Sequence, residues 1–135
     1  MSFSGEIKKE LAERAGAGRH CRLAELSAII SFAGNISLVE GGVRLRAGTE
    51  HALLGHKYRL LISLLFGLQE PEGGLMGDTA LKVLESIKMW DKKDMCFCNT
   101  ETVDGLLIQQ PCCKRAFIRG AFLATGSISD PEKSY

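Results

Sequence analysis

Residues 20–37 read His-Cys-Arg-Leu-Ala-Glu-Leu-Ser-Ala-Ile-Ile-Ser-Phe-Ala-Gly-Asn-Ile-Ser, and the pattern returns 92 residues later. Residues 112–129 read Cys-Cys-Lys-Arg-Ala-Phe-Ile-Arg-Gly-Ala-Phe-Leu-Ala-Thr-Gly-Ser-Ile-Ser. At that offset Cys21 falls on Cys113, Arg22 on Lys114, Ala24 on Ala116, Ala28 on Gly120, Gly34 on Gly126 and Ile36 on Ile128. Two copies make a duplication and not a solenoid, which needs more repeats to bury its faces. Each copy sets a basic residue before about three turns of apolar, small-residue-rich helix. A glycine able to take the left-handed conformation closes each helix. A short alternating segment follows, expected to be a strand. Small residues at matched positions, Ala28 and Gly120, allow two backbones to approach closely. The two helices are therefore expected to pack on each other about a pseudo-two-fold axis.

A chain of 135 residues suits one domain and can bury a core. Hydrophobic residues make up 45% and charged residues 24%, ordinary values for a globular protein. The formal net charge of +1 lends no support to nucleic-acid binding, so any such contact must come from local clusters. No apolar run approaches the roughly 18 residues that would span a membrane, and the N-terminus lacks the apolar core of a signal peptide. A cytoplasmic protein is expected, with its five cysteines as thiols.

Residues 2–14 read as a helix, with Ser4 as N-cap and Phe3, Ile7 and Leu11 on one stripe. Residues 15–18 break it, and the first repeated helix runs over about residues 21–33. Residues 35–47 read as a hairpin turning at Glu40, Gly41 and Gly42. Its alternation directs Ile36, Leu38, Val43 and Leu45 toward the helices, so Arg44 and Arg46 project from the opposite, open face. Thr49 can cap a long helix over residues 50–66, closed by Gly67, with Leu53, Leu54, Tyr58, Leu61 and Leu65 as its apolar stripe and Lys57 and Arg59 flanking it. Residues 69–77 read as loop. A further helix starts at Asp78 or Thr79, with Leu81, Leu84, Ile87, Met89 and Trp90 inward. Residues 91–111 show no regular pattern, and Pro111 ends that connection.

Residues 26–34 and 118–126 resemble the paired helix motifs of LAGLIDADG homing endonucleases. Residues 1–11, 21–26 and above all 112–135 resemble more closely the N-terminal domain of the WhiA family, transcription regulators of sporulation and cell division in Gram-positive bacteria. The resemblance implies an α+β fold, LAGLIDADG homing-endonuclease-like, with paired motif helices packed on an antiparallel sheet that is incomplete in this chain. It divides the chain into an N-terminal helix and linker (1–19), a first repeat (20–111) and the start of a second (112–135). A complete repeat of that kind has two hairpins. Only the first is found here, and residues 67–78 leave room for a loop alone. The resemblance also implies a non-catalytic DNA-binding regulatory domain located on the nucleoid, which lays its open sheet face on DNA and works with a C-terminal helix-turn-helix module in the full-length protein.

In the nucleases an acid precedes each motif's terminal glycine, and the two carboxylates hold a divalent metal for phosphodiester cleavage. Those positions are Ala33 and Thr125 here, and Ser31 and Leu123 do not replace them. An enzyme is therefore not expected, and a residual metal-dependent nuclease is the weakest alternative. Ala28, Gly34, Gly120 and Gly126 are expected at the helix-pair interface. Arg44 and Arg46 on the hairpin, and Lys114, Arg115 and Arg119 with Arg22 near the helix starts, are the candidate phosphate contacts. Cys96, Cys98, Cys112, Cys113, Cys21 and His20 supply enough ligands for zinc, but their spacing differs from the usual C-x₂₋₄-C pairs. Cys21 and Cys113 also suit helix-start packing, so no metal and no cofactor is expected. His51 and His56, five apart, do not share a helix face well and are expected at or near the surface. The other open reading is a protein-interaction module without DNA binding of its own, which the near-zero charge favours. Exposed sheet edges could also pair two copies into a homodimer.

Overall fold

The computed structural model describes residues 18–40, 42–47, 52–71, 73–98 and 105–125. The expected helix over residues 2–14, the Thr49 cap, His51, Gly126 and the strand after it lie outside these residues. Helix α1 spans Arg19–Ala33 and leads directly into the hairpin of β1 (Gly34–Val39) and β2 (Gly42–Ala47). Helix α2 spans Ala52–Phe66, a short β3 covers Leu75–Met76, and α3 spans Asp78–Ser86. Strands β4 (Trp90–Asp91) and β5 (Cys96–Phe97) form a second small hairpin. A 3₁₀ turn over Gly105–Ile108 precedes α4, Pro111–Thr125. Pro111 stands at the first helical position, where its missing N–H costs no hydrogen bond.

The sheet order is β1-β2-β3, antiparallel throughout. Ile36 pairs with Leu45 and Leu38 with Val43, as the alternation predicts. Val43, Leu45 and Ala47 are buried, and Ile36 packs against the core. Leu38 departs from the expectation: it shares their face but is 78% exposed, because it stands on the edge strand β1, beyond the cover that buries its partner Val43 on the central strand β2. The residues expected to be loop contain β3. Gly77 donates its N–H to the Val43 carbonyl at 2.8 Å, and Gly74 (φ +98°) lies so close to β2 that a Cβ would stand 2.7 Å from the Leu45 carbonyl oxygen. Two residues of strand are too few for a periodic signal. For the same reason β5 and the 3₁₀ turn emerge from a stretch that looks irregular in sequence.

Gly67 closes α2 in the left-handed conformation (φ +66°), its N–H bonded to the Ser63 carbonyl. Gly34 does not do so. Its backbone is extended (φ −80°, ψ 150°), because the chain passes straight from α1 into β1. Glycine is needed there for space, since a Cβ would stand 2.4 Å from the Ile30 carbonyl oxygen. The core joins α1, α2 and α3 to the inner sheet face through Leu26, Ile29, Tyr58, Leu61, Ile62, Leu75, Val83 and Leu84. At roughly 1.5–3 kcal/mol for each fully buried large side chain, this is the main stabilising term.

Candidate nucleic-acid interface and the helix-pair seam

The most extensive tertiary packing among the described residues is between α1 and α4. Cys21, Ala24, Cys113 and Ala116 make one buried cluster, and Ala28 meets Gly120 further along. Repeat-matched residues thus face one another, as a local two-fold requires. A Cβ on Gly120 would lie 2.5 Å from the Glu25 carbonyl oxygen and 2.9 Å from the Ala28 Cβ, so backbone approaches backbone. Phe32 and Phe117 add an edge-on ring contact at 6.3 Å.

Beside this seam lies an ion cluster that reading the residues in order does not reveal. Lys57, expected on a helix flank, is fully buried, and its Nζ stands 3.1 Å from Glu25 Oε2. Arg119, one of the candidate DNA contacts, turns its guanidinium toward the same carboxylate, 3.7 Å from Oε1, and keeps only 30% side-chain exposure. Burial pushes the Glu25 carboxyl up and the Lys57 ammonium down, and their mutual attraction opposes both shifts. The signal that could have located the cluster is Glu25 itself, a carboxylate inside an otherwise apolar run. A charge so placed needs a partner.

The outer face of the sheet carries Asn35, Ser37, Arg44, Arg46 and Met76. Arg46 pairs across the strands with Asn35, and Arg44 with Ser37 on one side and Met76 on the other. Asn35 and Arg46 are exposed, and Arg44 is half-buried. Lys114 and Arg115 are exposed at the start of α4. The two basic groups are separate. The helix starts lie about 20 Å along α1 from Ala33, where the chain enters the sheet. Ala33 is the last residue of α1 and packs against the core. Thr125 is the last residue of α4, and its Oγ1 donates to the Ala121 carbonyl at 3.0 Å. Neither position offers a carboxylate.

Among the described residues one group of side chains could hold a metal ion: His20, Cys21, Cys112 and Cys113, whose ligand atoms all lie within 4.8 Å of one another. Cys96 and Cys98 do not join it. Cys96 is exposed, and Cys98 donates its thiol to the Lys88 carbonyl. His56 is exposed on α2.

Two small-residue helices paired over an antiparallel sheet define a LAGLIDADG-like α+β domain. Residues 19–71 match the family model described as the WhiA N-terminal LAGLIDADG-like domain, and residues 114–135 match the WhiA LAGLIDADG-like domain. The chain belongs to the WhiA family. It is 34% identical to a "Probable cell division protein WhiA" of Lachnoclostridium phytofermentans, over 100% of this chain and 48% of the relative. It is 35% identical to the protein of the same name in Lachnospira eligens and 37% to that in Alkaliphilus oremlandii, over 100% of this chain and 47% and 48% of theirs. The chain spans about half the length of the curated relatives it matches. The first alignment runs over 151 positions against 135 residues here, so that relative has residues this chain lacks. No solved structure matches. No helix among the described residues is long and apolar enough to cross a membrane.

Proposed function

We propose that this chain is a non-catalytic, DNA-contacting domain of a WhiA-like transcription regulator acting in sporulation and cell division. The observation that carries the reading is the open sheet face. Arg44 and Arg46 stand on it beside Asn35 and Ser37, while the inner face is closed by the helices. Cations with small polar neighbours on a flat surface suit phosphate oxygens, which position a protein without reading bases. The non-catalytic part rests on Ala33 and Thr125, which stand at the helix ends where metal-holding acids would be required.

A fluorescence-anisotropy titration against duplex DNA across salt concentrations tests the reading. Binding that weakens steeply with salt, and less steeply in Arg44→Ala plus Arg46→Ala, supports the sheet as a phosphate-contacting surface. Absence of binding at low salt favours the second reading, a protein-interaction module, which the net charge of +1 supports. In parallel, plasmid incubated with Mg²⁺ should stay intact. Cleavage that is lost in a sheet-face variant would overturn the non-catalytic assignment.

A further inference from the structure

We propose that His20, Cys21, Cys112 and Cys113 form a tetrahedral zinc site that staples the starts of the two motif helices. The sequence pattern hides such a site. In ordinary zinc knuckles each ligand pair comes from one tight C-x₂₋₄-C turn. Here each pair is two adjacent residues in the first turn of a helix, and the pairs are 92 residues apart. The helix pairing brings them together, because Cys21 and Cys113 are repeat-matched, as are His20 and Cys112.

Three features support the assignment. The first is geometry. Zinc–sulfur bonds of about 2.3 Å in a tetrahedron separate sulfurs by about 3.8 Å. All four ligand atoms already lie within 4.8 Å of one another, so closing on an ion needs displacements of about 1 Å. His20 Nε2 is 3.3 Å from Cys112 Sγ, which directs the ring nitrogen into the cluster. The ring lies close to Gly18, where a Cβ would stand 2.7 Å from His20 Cε1, so glycine leaves room for the imidazole beside the cluster.

The second feature is the graded enclosure. Cys21 and Cys113 are buried, Cys112 is half-buried and His20 is exposed. The ion would be shielded on the helix side and reachable from solvent. The third is charge. Three thiolates, one neutral imidazole and Zn²⁺ sum to −1. That charge would sit at two helix N-termini, beside Arg22, Lys114 and Arg115, where dipoles and cations favour it. Thiolate-rich ligation with one imidazole in a four-coordinate arrangement selects zinc over the hard cations.

The test uses the whole 135-residue chain, purified under reducing conditions. Elemental analysis after dialysis should find one zinc per chain. Replacing zinc with cobalt(II) should give sulfur-to-cobalt charge-transfer absorption and the visible bands of a tetrahedral ion. Cys112→Ser, at the least buried of the three cysteines, should weaken cobalt affinity by more than the roughly 10–100-fold typical of outer-shell changes. Cys96→Ser plus Cys98→Ser should leave it unchanged. Circular dichroism on each variant separates lost ligation from lost fold. Sub-stoichiometric zinc with featureless cobalt spectra in a folded chain would overturn the site. So would a disulfide within the quartet found as the native state, which would make the cluster a redox pair.

Discussion

Glu25, Lys57 and Arg119 illustrate how strongly one residue can govern this domain. The Glu25 and Lys57 side chains are wholly removed from solvent, so truncating either strands the other's charge. Removing one partner of a buried pair costs roughly 3–5 kcal/mol, whereas replacing both with apolar groups of similar volume can be neutral. Glu25→Ala should therefore lower urea-unfolding stability by about that amount. Lys57→Met should cost less than Glu25→Ala, because Arg119 remains beside the carboxylate. Glu25→Leu with Lys57→Met should regain most of the loss. If the singles and the double lose stability additively, the pair is not coupled.

Tyr58 gives a pH signature at the same scale. Its hydroxyl is buried without an aligned partner among the described residues, and burial, reinforced by the Glu70 carboxylate, holds its ionisation well above the usual phenol range. The folded-state value is raised, so the associated stability is complete below about pH 10 and is lost as pH rises beyond it, because only the unfolded chain then ionises. The slope from this group should approach about 1.4 kcal/mol per pH unit. Tyr58→Phe should flatten that part of the stability profile. An unchanged alkaline slope in the variant would exclude Tyr58 as its source.

Among the elements, the α1–α4 seam was the most legible from sequence, because duplication writes the same small residues twice. Ala28 and Gly120 meet as their alignment implies. The hairpin was legible too, since period-2 alternation over two six-residue strands fixes which face is buried. Alternation cannot tell how far the helices extend over the sheet, which is why Leu38 is exposed. Elements of two residues, β3 to β5, carry no period. Lys57 looked like a helix flank because its partner is 32 positions away on another helix. The metal-ligand quartet was visible as a count of ligands but not as a place, since only the pairing of the helices joins its halves. Gly120→Ala tests the seam. Its Cβ would collide with the Glu25 backbone, which cannot rotate away, so the helices must separate. A loss of about 1–3 kcal/mol or more is expected by thermal or urea unfolding. Adding Ala28→Gly should recover only part of it, because the carbonyl contact persists. Full recovery would place the restriction at Ala28 alone.

Across the whole molecule, a net charge of +1 means that attraction to DNA cannot be diffuse. Under the proposed DNA contact it must be concentrated on one face, and the two basic groups compete for that role. Arg44 and Arg46 lie on the open sheet, while Lys114 and Arg115 crown the helix starts beside the His20 and cysteine cluster. These surfaces are about a helix length apart, farther than the Debye length of about 8 Å at physiological salt, so each group acts locally. Each phosphate neutralised contributes about −0.9 to the slope of log K against log salt. If the sheet lies on DNA, Arg44→Ala plus Arg46→Ala should reduce the magnitude of that slope by about 1.8, and Lys114→Ala plus Arg115→Ala should leave it nearly unchanged. The reverse result would turn the domain over and place the helix starts on the nucleic acid. Equal effects from both pairs would mean that no single face is used, which the separation of the two groups argues against.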